Sequence, residues 1–417
     1  MSLFSSVEMA PRDPILGLNE QFAVDPNPEK VNLGVGVYFD EDGKLPLLAC
    51  VQAAEKTLMD KAAPRGYLPI DGIAAYDSAV KGLIFGANSA VVQEGRVATV
   101  QTLGGTGGLK IGADFLKKIN PNAKVLISDP SWENHRALFS NAGFLVETYT
   151  YYDAGKRGVN FDGMLASLKA AVPGTIVVLH ACCHNPTGVD LTPAQWDAVL
   201  DIIQTRRLIP FMDIAYQGFG DDLNSDAYAI RQAAAMGLPL LVSNSFSKNM
   251  SLYGERVGGL SVVCPSAEEA ALVLGQLKAG VRRIYSSPPA HGGYIAAAVM
   301  NSETLRAQWE NEVYAMRDRI RAISDDQRIL AIIIAFCFGG LLEALAGFGA
   351  PVAITGVMLV SLGFSPMRAA ATVLLARVPG TRPAGAIPAG SAPLSPAACH
   401  RCAAWRLSCP RCARHSP

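Results

Sequence analysis

The sequence predicts an α/β protein built on a mostly parallel sheet covered by helices, and three observations carry that expectation. Short apolar runs recur at 97–102, 124–128, 144–149, 176–180, 209–213, 240–244 and 258–264. Amphipathic stretches lie between most of them, for example 107–119, 193–205 and 266–281. Strands that alternate with helices bury both faces of a parallel sheet. Polar punctuation then follows the apolar runs: GGT at 104–106, HNPTG at 184–188, Asp213, and SFSK at 245–248. In such sheets ligands bind beyond the carboxyl ends of the strands.

The chain has 417 residues, long for one domain and enough for two or three, and 50% of them are hydrophobic, so a large core can form. Lys plus Arg and Asp plus Glu balance at 36 each, which points away from a nucleic-acid or other polyanionic partner. Met1 to Glu20 has no basic segment leading into an apolar one, so the expected location of residues 1–325 is the cytoplasm. Cys50, Cys182, Cys183, Cys264 and Cys337 are scattered, which suits free thiols in a reducing compartment.

The strand ends carry the chemistry. Glycines at 104–108 between a strand and a helix let backbone N–H groups approach an anion, and Thr106 adds a hydroxyl, although such a turn alone is more often only a turn. Asp213 at a buried strand end needs a cationic partner: an ion pair, a helix cap, or the protonated pyridine of a bound cofactor. Lys248, just past a buried strand and among hydroxyls, has the setting of an amine nucleophile with a lowered pKa, whereas an isolated lysine is usually a solvated charge. Arg256, eight residues on, can grip a phosphate through two parallel bonds.

Five longer segments extend this pattern: VNLGVGVY at 31–38, CHNPTG at 183–188, DIAYQGF at 213–219, SFSKNMSLYGERVG at 245–258 and YSSPPAHG at 285–292. In that order they resemble the aspartate/aromatic amino acid family of class I pyridoxal-phosphate aminotransferases, over about residues 1–325. The resemblance implies the type I pyridoxal-phosphate-dependent transferase fold, with an N-terminal arm, a large domain and a truncated small domain. It implies a homodimer that transaminates an L-amino acid, aspartate or aromatic, with a 2-oxo acid. Lys248 would hold pyridoxal 5'-phosphate and move the proton at the substrate Cα, with Asp213 and Tyr216 completing the catalytic set. Asp213 would keep the pyridine nitrogen protonated, with His135 behind it. Tyr216 and Asn185 would hydrogen-bond the ring's phenolic oxygen, and Trp132 would stack on the ring. Gly105, Thr106, Ser245 and Arg256 would bind the phosphate, joined by the partner subunit's Tyr67. Gly36, Trp132, Asn185 and Arg282 would meet the substrate, Arg282 by reaching across the dimer to a dicarboxylate. No resident metal is expected at this site.

The resemblance stops near Asp325, and no later position matches the second arginine that clamps the substrate α-carboxylate in the family. From Ile329 to Met367 there is one charged residue, Glu343, and the apolar runs are long enough to cross a bilayer. Residues 330–376 resemble a segment of the L-lactate permease family, chiefly LLEA at 341–344 and GFGAPVAIT at 347–355. A membrane segment is therefore expected over 329–376, with Glu343 as its ionisable group. The remainder, 377–417, has six arginines, seven prolines, four cysteines and no acid. Cys399, Cys402, Cys409 and Cys412 form a C-x2-C-x6-C-x2-C array that four-coordinate zinc could use, but the spacer is short for a zinc ribbon. The composition reads more readily as a disordered or out-of-frame tail. Two functions follow: a transaminase impaired by loss of its C-terminal part, or an inactive membrane-associated chimera carrying a permease fragment.

Overall fold

The computed structural model of the protein describes residues 4–9, 16–27, 30, 37–38, 40 and 44–323. Gly36, the junction near Asp325, the expected membrane segment 329–376 and the tail 377–417 lie outside these described residues. The described helices are α1 (Leu16–Val24), α2 (Ala49–Lys61), α3 (Ala74–Lys81), α4 (Ala90–Gln93), α5 (Gly104–Ile119), α6 (Glu133–Asn141), α7 (Phe161–Ala170), α8 (Pro193–Thr205), α9 (Tyr228–Ala235), α10 (Ala267–Ile284), α11 (His291–Asn301) and α12 (Glu303–Ile323). The strands are β1 (Val97–Leu103), β2 (Lys124–Asp129), β3 (Leu145–Thr150), β4 (Tyr152–Asp153), β5 (Gly158–Val159), β6 (Ile176–His180), β7 (Ile209–Ile214), β8 (Leu240–Ser245) and β9 (Val257–Val263). Among the described residues, no helix is long and apolar enough to cross a membrane.

Seven strands form one sheet in the order β1-β9-β8-β7-β6-β2-β3, with β4 and β5 as a separate hairpin. Each sheet strand falls within a residue or two of the apolar run that predicts it. The sheet is mixed rather than uniformly parallel. From β8 to β3 every pairing is parallel, while β9 runs antiparallel to both β8 and β1. The reason is local. No crossover helix separates β8 from β9, and a chain that turns straight back can pair only antiparallel.

Alternation along the central strands sorts their side chains into two cores. Val177 and Leu179 of β6, Met212 and Ile214 of β7, and Leu240 and Val242 of β8 face one cluster with α8, α9 and α12. Ile176 and Val178, Phe211, and Leu241 face the other, with α5, α6 and α10. A strand buried on both faces reads as a continuous apolar run because each alternate residue enters a different core. Helix α8 starts on a capping box, Thr192 with Gln195, with Pro193 in its first turn. It buries Trp196, Val199, Leu200 and Ile203.

Two contacts fix the part of the sheet that matters most. A Cβ on Gly258 would lie 2.4 Å from the Gly104 carbonyl carbon and 2.6 Å from the Asn244 oxygen, so β9 passes the head of α5 only as bare backbone. Fully buried Trp309 of α12 donates from Nε1 to the Asn249 carbonyl at 2.6 Å. Glu312, one turn on, accepts the N–H groups of Ala49 and Cys50 and so ties α12 to the start of α2.

One buried acid weakens this frame. Asp77 on α3 is 8% exposed, and its Oδ1 has no partner. Burial pushes its carboxyl up to about 8, with Lys81 opposing and Asp71 adding. Its folded pKa lies above its unfolded value, so the native state binds more protons between about pH 4 and pH 8, and stability falls as pH rises through that window. Asp77→Ala is expected to be more stable than the parent at pH 8 by on the order of 1–3 kcal/mol, with little difference near pH 4. Urea denaturation at the two pH values reads this directly, and an equal gap at both would contradict it.

Candidate active site

A cleft of about 120 Å3 opens at the carboxyl ends of the parallel strands and is lined by Gly105, Thr106, Trp132, His180, Asn185, Asp213, Tyr216, Ser245, Ser247, Lys248 and Arg256. Larger grooves of about 560 Å3 exist elsewhere, one of them at the opposite ends of β7 and β8 around Leu208 and Leu238. The groove around Leu208 and Leu238 is lined mainly by apolar side chains, and the other, with Asp114, Lys117, Lys118 and Arg283, lies on α5 and α10 away from the carboxyl ends of the parallel strands, so the smaller cleft is the chemical one.

Its first wall is an anion cradle. Helix α5 begins at Gly104 directly after β1, and Leu103 at its N-cap provides no side-chain cap. First-turn N–H groups of such a helix have no intrahelical partner and face the cleft. The Gly104 N–H donates to the Arg256 carbonyl at 2.9 Å. Gly104 has φ +64, and a Cβ there would meet Arg256 Nη2 at 2.7 Å, so the guanidinium lies over the helix head. Arg256 Nη1 donates to the Tyr253 carbonyl at 3.0 Å and to Ser247 Oγ at 3.4 Å. Ser245 Oγ donates to Ser247 Oγ at 3.1 Å, which keeps both hydroxyls on this wall.

The floor is a buried carboxylate. Asp213, 6% exposed near the end of β7, holds Oδ2 3.0 Å from His135 Nε2. An ionised carboxylate only accepts, so Nε2 carries a proton, and His135 Nδ1 pairs with Ser131 Oγ at 3.0 Å. Burial pushes the Asp213 carboxyl up, but the His135 hydrogen bond, His135, His180 and Lys248 together hold it below the usual range. Behind it runs a file of rings. His135 lies 4.9 Å from His180, His180 lies 4.3 Å from His184, and His184 stacks at 3.9 Å on Tyr151. Ser128 and Thr187 hydroxyls satisfy His184. Burial first, then neighbouring His135, brings His180 down to about 3, so it is a neutral ring.

Lys248 stands opposite. Its Nζ is 5.5 Å from the Tyr216 ring centroid and 5.9 Å from that of Tyr253, and it makes no hydrogen bond or ion pair among the described residues. Burial lowers its pKa, Asp213 opposes and Arg256 adds to the lowering, which raises the share of free amine. Burial pushes Tyr216 up to about 12, with Cys183 and Asp213 adding, so it stays a phenol. Trp132 caps α6 and packs edge-on against His135 at 5.2 Å.

Nine of the sequence-predicted residues thus meet in one cleft: Gly105, Thr106, Trp132, Asn185, Asp213, Tyr216, Ser245, Lys248 and Arg256. Tyr67 and Arg282 do not join them. Tyr67 is 97% exposed. Arg282 sits on the exposed last turn of α10, bonded to Ser286 Oγ. Gly36 lies outside the described residues. Sequence reasoning missed His180 and Ser247 as cleft residues. His180 pairs with Asp213 in the β6–β7 register, a signal that exists only once the pairing of those strands is known.

The cradle makes a direct prediction. Inorganic phosphate should raise the melting temperature of the cofactor-free protein. Gly104→Ala, which forces Arg256 aside at a left-handed backbone position, should weaken phosphate binding by roughly tenfold. Undiminished stabilisation by phosphate in that variant would remove Arg256 and the head of α5 from the anion site.

The donor set fits pyridoxal phosphate. A glycine-lined helix head with Arg256 and two serines suits its phosphate, and a buried, His135-backed carboxylate suits its ring nitrogen. The family model described as aminotransferase class I and II matches residues 28–326, and that for L-lactate permease matches residues 295–388. The chain is 60% identical over 321 residues to an aspartate aminotransferase of Pseudomonas aeruginosa, covering 77% of this chain and 81% of that one. It is 56% identical over 327 residues to an aromatic-amino-acid aminotransferase of Escherichia coli, covering 78% and 82%. Its fold superposes on the crystal structure of an aromatic-amino-acid aminotransferase from Burkholderia pseudomallei covalently bound to pyridoxal phosphate, with a TM-score of 0.76, 60% identity, and coverage of 83% and 87%. The chain belongs to the class I and II aminotransferases and is an amino-acid aminotransferase with pyridoxal phosphate as its cofactor.

Proposed function

We propose that the chain transfers the amino group of aspartate or an aromatic L-amino acid to a 2-oxo acid, with Lys248 as the residue that bonds the cofactor. The observation that carries this reading is a partly buried, unpaired lysine amine facing a buried Asp213–His135 pair beside an anion cradle. When bound, pyridoxal phosphate supplies an aldehyde that links to amines and a ring that draws electrons from the substrate Cα. Lys248 Nζ takes and returns the Cα proton, a task suited by its lowered pKa. The Asp213 carboxylate holds a proton on the ring nitrogen, and His135 keeps that carboxylate ionised and oriented. Tyr216, Asn185 and Trp132 line the same cleft; Tyr216 and Asn185 would hydrogen-bond the ring's oxygen, and Trp132 would stack on the ring. Gly105, Thr106, Ser245 and Arg256 anchor the phosphate.

Substrate choice and assembly belong to the same proposal. Tyr67, 97% exposed, and Arg282 are not in the lining of this protomer's own cleft, and we assign both to a neighbouring site in a homodimer. Among the described residues, the cations lining the cleft are Lys248 and Arg256, both already committed to the cofactor. The aminotransferase match ends at residue 326, so a clamp for the substrate α-carboxylate has no assigned residue, and we propose a weakened enzyme. A second reading, a membrane-associated chimera, rests on the permease match. That match overlaps 295–323, where α11 and α12 are packed into the aminotransferase core.

Three outcomes test this. Lys248→Ala should retain no cofactor after borohydride treatment and denaturation, and should not transaminate. Cofactor still attached in that variant would place the bond elsewhere. Asp213→Ala should keep the cofactor attached but lose turnover roughly a hundredfold or more, as when a preorganised charge is removed from a transition state. Near-normal turnover would remove the proton-holding role. The parent should show a substrate KM well above that of a chimera whose residues 326–417 are replaced by the C-terminal segment of a 60% identical relative. Equal KM values would mean that the α-carboxylate is held without that segment.

A further inference from the structure

The base of the cleft holds more ligating atoms than the cofactor requires. His135, His180 and Asp213 each offer one ligand atom, and these atoms lie within 4.8 Å of one another. His135 Nε2 and Asp213 Oδ2 are 3.0 Å apart. Ligand atoms around a tetrahedral ion with bonds near 2 Å stand about 3.3 Å apart. That pair is close to this spacing already, and the His180 nitrogen, within 4.8 Å of both, must come nearer by up to about 1.5 Å to join it.

His180 supplies the second observation. Both of its ring nitrogens are buried without a hydrogen-bond partner, although buried polar atoms are nearly always paired. Its ring lines the cleft, so an ion entering there reaches it. His184 does not compete, because Ser128 and Thr187 occupy its nitrogens. The Ser131 hydroxyl, 3.0 Å from His135 Nδ1, can donate or accept. His135 can therefore shift its proton to Nδ1, keep that proton satisfied by Ser131, and present the Nε2 lone pair.

We infer that in the cofactor-free protein His135, His180 and Asp213 bind one divalent transition-metal ion of the zinc type, with the fourth position open to the cleft. Two imidazoles and one carboxylate suit zinc or cobalt and do not suit magnesium or calcium, which take all-oxygen sets. The ion occupies the Asp213 carboxylate, so ion and pyridoxal phosphate exclude one another. This exclusion rests on the proposed placement of the ring nitrogen at Asp213, whereas the metal site itself does not.

Titration of the chelator-treated, cofactor-free full chain with Co2+ tests the inference. The expected result is one equivalent with the visible absorption of tetrahedral cobalt, not displaced by Mg2+, and weakened at least tenfold in His180→Phe. Cobalt on the tail cysteines is separable, because sulfur gives a distinct charge-transfer band and its binding ignores His180. Phosphate-dependent melting of metal-free His180→Phe checks its fold, and His180→Gln serves as the second variant. No histidine-sensitive cobalt, or equal binding in both variants, overturns the site. Adding pyridoxal phosphate to the cobalt form should release the ion. If cobalt binds as expected but pyridoxal phosphate leaves it in place, the exclusion fails and with it the placement of the ring nitrogen, while the metal site stands.

Discussion

The hydrogen bond between His135 and Asp213 is the constraint on which the rest of the site depends. A carboxylate 6% exposed at the end of a central strand is costly unless something compensates its charge. His135 compensates it at 3.0 Å and is itself fully buried and fixed by Ser131. A file of aromatic rings, from His180 to Tyr151, packs behind it. The result is a fixed negative charge at the floor of the cleft, in a setting where its field is poorly screened. A cationic ring nitrogen is the ligand feature best matched to it.

Topology places the remaining groups around that charge. Parallel strands β6, β7 and β8 end on the same side of the sheet, so Asn185, Asp213 and Lys248 arrive at one place from three connections. The reversal into β9 then brings Arg256 back over the head of α5, eight residues after Lys248. One short connection thus carries both the amine and the guanidinium that lies over the head of α5. Trp309 supports that connection from below through the Asn249 carbonyl, so α12 acts on the site without entering it.

The large sheet was legible in the sequence mainly because six of its seven strands are buried on both faces, edge strand β3 being largely exposed. Such strands read as unbroken apolar runs, and all seven stand where those runs predict. The direction of β9 was not legible. It follows from the missing crossover after Lys248, a fact about chain path rather than about composition. The nine cleft residues were legible through motifs, since each lies at or just beyond a strand end. His180 was not, because a histidine ending an apolar strand looks like core until its register partner is known to be Asp213. Tyr67 and Arg282 are exposed and lie outside the lining of the cleft, which accords with the proposal that they serve a neighbouring protomer.

The protonation state of the bound cofactor's ring nitrogen tests the central claim most directly. Protein loaded with pyridoxal phosphate labelled with nitrogen-15 in the ring can be observed by NMR across pH 5 to pH 9. A carboxylate held ionised by His135 predicts a ring nitrogen that stays protonated throughout. In His135→Phe that proton should be lost at lower pH. An unprotonated ring nitrogen in the parent protein at neutral pH would contradict the account.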